Sequence, residues 1–426
     1  MEVTHQLTST DRSSNYDVIV IGGGPAGSTA AALVAESRHK VLVLEREHFP
    51  RFKIGESLMP GTYWTLKRLG VLDKMKQSGF PKKYSVQFYS RSGRPSAPFY
   101  FYENNPHESS KTWQVLRSEF DQMLLENARE KGADVRHGVS VLDVLFEDGK
   151  AVGVRARMPD KSVQEFVAKV IVDASGQSAL LSRKLQMNHT EPKLKKASIY
   201  THFEGGLRDE GVDEGATIIY HTQNQESWFW YIPLPRDTVS VGVVGSLDYL
   251  LQNRNEPPQK IFEDELEICP ALRPRLANAE QLFPVKTTKD FSYRASQLAG
   301  DGWVLVGDAF GFVDPIYSSG VFLALKSGEL AADSINEAFE RDDFSGAQLG
   351  KFGRDFLQGM GAIRKLVYAF YSKEFSFGKF LKKFPECRND IVNILIGNVF
   401  RQDVNGLFES MSEMCDLPED YKLELN

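Results

Sequence analysis

The stretch Tyr16–Glu45, YDVIVIGGGPAGSTAAALVAESRHKVLVLE, decides the fold. Val18, Ile19, Val20 and Ile21 form a short β-branched run that reads as a buried parallel strand. The run enters Gly22-Gly23-Gly24-Pro25-Ala26-Gly27 and then an Ala-rich helix. A second buried strand, Val41 to Leu44, ends on Glu45, 23 residues after the first glycine. G-x-G-x-x-G on a strand-to-helix turn, followed by an acid at this distance, is the fingerprint of dinucleotide binding. Gly22 permits the tight turn, Gly24 lets the backbone approach a pyrophosphate, and Gly27 lets the helix lie close to the strand. Free N–H groups at the helix start hold the phosphates, and Glu45 accepts from a ribose hydroxyl.

The remainder of the chain bounds what can be built around that turn. At 426 residues it supports one large or two to three ordinary domains with a sizeable core. Its 42% hydrophobic and 25% charged residues are those of a soluble globular protein, and a net charge of −6 argues against nucleic acid as a partner. No apolar run approaches a membrane span, so no integral membrane segment is expected. Residues 1–15 are polar, lack the apolar centre of a signal peptide, and read as a disordered tail on a cytoplasmic chain. Cys269, Cys387 and Cys415 match no metal spacing, so ordinary thiols and no metal are expected.

Downstream of Glu45, the loop Arg46–Ser57 follows the second nucleotide-binding strand and belongs near the cofactor. Helix-spaced apolar residues then predict one helix from Met59 to Lys76, and Gly79-Phe80-Pro81 ends it before a strand-like run, Tyr84 to Ser90. Lys82-Lys83 in that break reads, on composition alone, as a solvated turn. Arg117 opens a helix that runs to Lys131, where it can meet a phosphate or make a surface ion pair. Strands at 139–145, 151–157 and 167–173 extend the first sheet.

Between Ser198 and Val285 the pattern changes to alternating strands without crossover helices, an inserted antiparallel sheet. Within it Trp228, Trp230 and Ile232 share one face by the period of two, ahead of Pro233, as an aromatic core strand or a substrate wall. The first fold then resumes with a buried strand, Gly302 to Val306, ending in Gly307-Asp308-Ala309, and a helix that starts at Ser319-Gly320. Beyond 346 the chain is helical and rich in Phe and Tyr. The expected division is a nucleotide-binding domain from 16–56, 105–190 and 290–345, a substrate-side antiparallel sheet from 57–104 and 191–289, and a helical subdomain at 346–426.

The order GGGPAG, Glu45, Arg51, GES, WQVLRSEFD, DASG and GDAFGFVDP resembles the glutathione-reductase-like FAD enzymes of the aromatic-hydroxylase branch. That resemblance implies an α/β fold with an FAD-binding Rossmann domain. It implies cofactor contacts for Gly22, Gly24, Ala26, Gly27, Glu45, Arg46, Arg51, Ser57, Arg117, Asp308, Pro315 and Gly320. Within the branch the chain is similar to flavin-dependent halogenases, whose W-x-W-x-I-P motif stands as Trp228, Trp230, Ile232 and Pro233. Their F-x-x-P-x-x-S-x-G pattern fits Phe312, Pro315, Ser318 and Gly320, which puts a halide at Ser319-Gly320. Counting from Gly79-Phe80, the family's active-site lysine falls on Lys83 rather than Lys82. Tyr317 stands where tryptophan halogenases carry a Glu, so the resemblance is to the halogenases of phenols and pyrroles.

The chemistry so implied uses reduced FAD, O2 and chloride or bromide to make hypohalous acid, which a lysine delivers to an activated aromatic that is free or tethered to a carrier protein. Only one dinucleotide fingerprint occurs, so a separate flavin reductase is expected to supply FADH2. Three other readings stay open at this point: a hydroxylating FAD monooxygenase, a geranylgeranyl-reductase-like oxidoreductase, and a flavin-binding module without oxygen chemistry.

Overall fold

The computed structural model describes residues 12–103, 105–289, 292–400 and 404–421. Five parallel strands form the nucleotide-binding sheet, in the order Trp303–Leu305, Val163–Asp173, Arg12–Ile21, Val41–Glu45 and Asp134–His137. The first strand begins at Arg12, opposite Glu165, so residues 12–15 belong to the sheet and not to a tail; residues 1–11 lie outside the described residues. The antiparallel strands Ser140–Glu147 and Lys150–Arg157 extend the sheet along the first half of Val163–Asp173. Val18 to Ile21 and Val41 to Leu44 are buried on both faces, as parallel strands covered by helices require. Helix Ser319–Arg341 crosses helix Pro25–Glu36 at Gly328, where a Cβ would lie 2.4 Å from the Ala26 carbonyl. That close approach brings the start of the long helix to the glycine turn.

The second sheet orders Glu280–Gln281, Lys196–Glu204, Thr238–Ser246, Ser227–Pro233, Thr217–His221, Ser85–Tyr89 and Phe99–Tyr100, with Lys286–Lys289 also on Lys196–Glu204. It is antiparallel except where Ser85–Tyr89 runs parallel to Thr217–His221. Those two strands come from distant parts of the chain, so no hairpin dictates their direction. The expectation of strands without helices fails at Pro258–Glu267, a helix whose Phe262 packs on Phe203 and Phe229. Along Ser227–Pro233 the period of two holds: Phe229 and Tyr231 face that helix, while Trp228, Trp230 and Ile232 face the nucleotide domain.

The single helix expected from Met59 to Lys76 is two helices, Thr62–Arg68 and Leu72–Gln77. Gly70, with φ +75°, turns the chain between them in a conformation that closes helices. Among the described residues five α-helices follow the long one at the C-terminal end, the single turn Gly346–Leu349 and then Gly353–Tyr371, Phe377–Lys383, Arg388–Leu395 and Asn405–Ser412. Cys269, Cys387 and Cys415 are buried free thiols. No helix among the described residues is long and apolar enough to cross a membrane.

Candidate active site

A cleft of 710 Å3 opens where the nucleotide-binding strands end, lined by Gly22, Gly24, Ala26, Glu45, Arg46, Arg51, Arg117, Asp308 and Gly320 among others. Gly22 takes φ +102°, and a Cβ there would meet the Ala174 carbonyl at 2.5 Å. At Gly27 a Cβ would stand 2.0 Å from the Gly22 carbonyl, so this residue does not line the cleft but sets the helix against the strand. Gly24 is different: the nearest atom to its Cβ position is Arg51 Nη2 at 3.6 Å, leaving a bare backbone cradle beside a cation. Glu45 is fixed from both oxygens, Oε2 accepting from Gly23 N–H and Oε1 from Glu47 N–H, each at 2.8 Å.

Two arginines share one carboxylate behind this cradle. Arg117 grips Asp121 at 2.7 and 2.9 Å and donates to the Ile54 carbonyl at 2.6 Å, while Arg51 Nη1 donates to Asp121 at 2.9 Å. One positive charge is left over, and Arg51 Nε is buried without a hydrogen-bond partner among the described residues. Asp308 faces the same cleft; burial pushes its carboxyl up to about 6, against the pull of Arg117. A cradle without side chains, an orphan guanidinium donor and an acceptor pair at Glu45 and Asp308 fit a pyrophosphate flanked by polyhydroxyl chains, the donor set FAD requires. Gln177 and Ser178, which the motif reading missed, line the cleft too, and Arg46 Nη1 donates to Ser178 Oγ at 3.2 Å. Their one sequence signal is the Gly176 bend after the 163–173 strand.

A smaller cavity of 140 Å3 adjoins the cleft and shares Gly55, Asp308, Phe312 and Gly320 with it. Pro315, Ser318 and Gly320 line one end, Trp228, Trp230 and Ile232 one wall, and Ser57 and Thr217 another part. Ser57 and Pro315, expected at the cofactor, line this cavity and not the cleft; Pro233 and Ser319 line neither. Ser318 adopts φ +57° as it enters the 23-residue helix, with no side-chain cap, so the first-turn N–H groups of Ser319 and Gly320 have no capping side chain. Trp230 is seated by Ser240, whose Oγ accepts from Nε1 at 3.1 Å, and by Gly242, where a Cβ would stand 2.2 Å from its ring.

Lys82 and Lys83 lie on a two-residue strand against Thr112–Trp113, so they point to opposite sides: Lys82 is exposed and Lys83 is 2% exposed. Lys83 Nζ donates to Ser57 Oγ at 2.9 Å and to the Leu58 carbonyl at 3.3 Å, and lies 5.5 Å from the centre of the Phe101 ring. Ser57 is joined to Thr217 at 2.9 Å, and Thr217 accepts from Gln114 Nε2 at 2.8 Å. Burial, with no charged partner among the described residues to offset it, brings the lysine down to about 7. The chain thereby keeps an amine that changes protonation state near neutrality one hydrogen bond behind the cavity.

On the opposite side the wall is tied to the C-terminal helices. Trp228 Nε1 donates to the Tyr371 hydroxyl, which donates to the buried Asp314, and Lys196 Nζ stands 3.8 Å from the centre of the Tyr371 ring. Tyr317 is buried beside them, its hydroxyl donating to the Leu366 carbonyl at 3.2 Å. None of Asp314, Lys196 and Tyr371 is legible as a cluster in the sequence, because they lie on three separated elements.

Comparison with known proteins identifies the family and its cofactor. The model of a family described as FAD binding domain matches residues 15–335. A 1H-pyrrole-2-carbonyl-(peptidyl-carrier protein) chlorinase of Pseudomonas fluorescens is 33% identical over 420 residues, covering 94% of this chain and 93% of its own. The corresponding brominase of Pseudoalteromonas luteoviolacea is 35% identical over 390 residues, covering 91% and 93%. The solved structure of flavin-dependent brominase Bmp2 matches with a TM-score of 0.84 at 32% identity, over 94% of this chain and 98% of that one. The myxobacterial chondrochloren halogenase CndH matches with a TM-score of 0.80, also at 32% identity, over 94% and 97%.

Proposed function

This chain belongs to the FAD-binding family and within it to the flavin-dependent halogenases, and we propose that it halogenates a pyrrolyl group held as a thioester on a carrier protein. Bound and reduced, FAD supplies with O2 the two-electron oxidation that turns chloride or bromide into hypohalous acid. The chain's own residues hold, separate and aim. Gly22, Gly24 and the helix start cradle the pyrophosphate, Arg51 and Arg117 set one net positive charge against it, and Glu45 and Asp308 accept from the ribose and ribityl hydroxyls. The uncapped N–H groups at Ser319-Gly320 take the halide.

The observation that carries this reading is the 140 Å3 cavity, which links the Gly320 helix end to Ser57, the hydrogen-bond partner of Lys83. It is smaller than the roughly 300–1,000 Å3 of ordinary small-molecule pockets, so it suits the passage of a small oxidant better than an aromatic ring. Trp228 and Trp230 keep the ring away from the flavin, which disfavours direct hydroxylation. At the far end, Lys83 near its neutral form hydrogen-bonds the hypohalous acid through Nζ and orients it over one ring carbon, while the Leu58 carbonyl and Ser57, itself bonded to Thr217, hold Nζ in place. The two relatives above act on pyrrole-2-carbonyl groups on a peptidyl carrier, which supports a tethered substrate here. The chain's one dinucleotide turn supports supply of FADH2 by a separate reductase.

Pre-reduced enzyme mixed with oxygenated buffer, with and without bromide, tests the proposal on carrier-bound pyrrole-2-carbonyl. Halide-dependent halogenated product that disappears in Lys83→Ala, while flavin reoxidation continues, is the expected result. A hydroxylated product independent of halide would overturn it.

A further inference from the structure

The segment Ser372–Arg388, SKEFSFGKFLKKFPECR, carries five cations and two carboxylates, a balance of +3 in a chain of −6. Lys373, Lys379, Lys382, Lys383 and Arg388 are all exposed. Lys373 pairs with Glu226 at 3.2 Å and Lys383 with Glu413 at 2.7 Å, but Lys379, Lys382 and Arg388 have no carboxylate partner among the described residues. Beneath them Phe380 is packed between Phe375 and Phe384, with ring centres 5.5 and 5.3 Å away. This aromatic base holds the short helix Phe377–Lys383, which is too short to persist on its own.

Position gives the charge a meaning. The helix before the segment ends at Tyr371, bonded to Trp228 in the cavity wall. The helix after it packs Val392 on Phe101, whose ring faces Lys83 Nζ. The basic face therefore spans the surface between the wall of the reaction cavity and its lysine end. We infer that the face bearing Lys379, Lys382 and Arg388 is the docking surface for an acidic carrier protein, placed so that the carrier's phosphodiester-linked arm enters beside Lys83. The inference rests on the carrier-tethered reading of the substrate. Electrostatic complementarity of this kind raises encounter rates and sets orientation. Phe380 is buried, Phe375, Phe377 and Phe384 are half-buried against the core, and none is an exposed large hydrophobe, so the face offers charge without the apolar wedge that a membrane-surface helix inserts.

The test compares wild type with Lys379→Glu/Lys382→Glu and with Arg388→Glu, none of which touches the cavity. Each is assayed on pyrrole-2-carbonyl carrier protein and on the free pantetheine thioester of the same acid, with FAD content and Tm as controls. The expected result is a KM for the carrier substrate raised about tenfold or more in the double variant, with unchanged kinetics on the free thioester. The wild-type carrier KM also rises with ionic strength. An unchanged carrier KM in both variants overturns the docking surface and leaves the carrier reading standing. Wild type that accepts the free thioester but not the carrier substrate overturns the carrier reading, and the docking surface with it. Cosedimentation of wild type with phosphatidylglycerol vesicles, lost in the double variant while the carrier KM is unchanged, assigns the face to a membrane instead.

Discussion

Trp228 Nε1 donates a 3.1 Å hydrogen bond to the hydroxyl of Tyr371, 143 residues away, and that hydroxyl donates to Asp314. One side chain of a C-terminal helix thus joins the aromatic wall to the turn that starts the long helix at Ser319. Tyr371→Phe keeps the ring and removes both bonds, leaving a buried indole N–H unpaired. The expected cost is about 1–3 kcal/mol of stability. Flavin reoxidation continues, but more oxidant is lost as peroxide for each halogenated product. Because the bond is shared, Trp228→Phe and the double variant lose no more coupling than Tyr371→Phe; additive losses in that cycle refute the shared role.

Lys83 has no carboxylate partner among the described residues, and its pKa is lowered from 10.5 to about 7 by burial. The stability cost of taking this ammonium from water is full below pH 7 and is relieved as pH rises from about 7 towards 10.5. Lys83→Met is therefore expected to raise stability at pH 7, by an amount on the order of a few kcal/mol, while abolishing halogenation. Chemical denaturation of both proteins at pH 7 and above 10 checks it: the gain shrinks at the higher pH.

Asp314 is pushed up to about 7 by burial, against the pull of the Ile316 N–H, Lys196 and the Tyr371 hydroxyl. A carboxyl whose folded pKa lies above 3.8 favours the folded state most below pH 4, and that contribution is lost as pH rises through 7. The charge that then appears shares a turn with the end of the cavity proposed for the halide. Bromide affinity, read as a thermal shift, is expected to weaken from about pH 6 to about pH 8 in wild type and to stay level in Asp314→Asn.

The second and third glycines of the fingerprint separate fold from cofactor. Gly27→Ala drives a Cβ to 2.0 Å from the Gly22 carbonyl and is expected to yield little folded protein. Gly24→Ala meets nothing closer than 3.6 Å. It should keep its apo-protein Tm and bind FAD about tenfold or more weakly, a loss of about 1.4 kcal/mol, measured by titration.

Local pattern carried a large part of this protein. The turn at Gly22, the acid at Glu45 and the shared face of Trp228, Trp230 and Ile232 follow from spacing, because strand alternation and helix-terminus chemistry act over a few residues. The break at Gly70 and the added helix Pro258–Glu267 are not legible for the converse reason: apolar spacing continues through one, and strand-like neighbours mask the other. What only the tertiary structure decided is which groups meet and how dry they are. Ser57 finds Thr217 across 160 residues of sequence, and Lys83 loses its water to Phe101 and Leu58. Asp314 meets Tyr371 only once the C-terminal helix docks, and faces Lys196 across the seam with the second sheet. Desolvation and long-range pairing arise from the packed core as a whole, so a lysine that composition places in a solvated turn becomes a buried amine poised near pH 7.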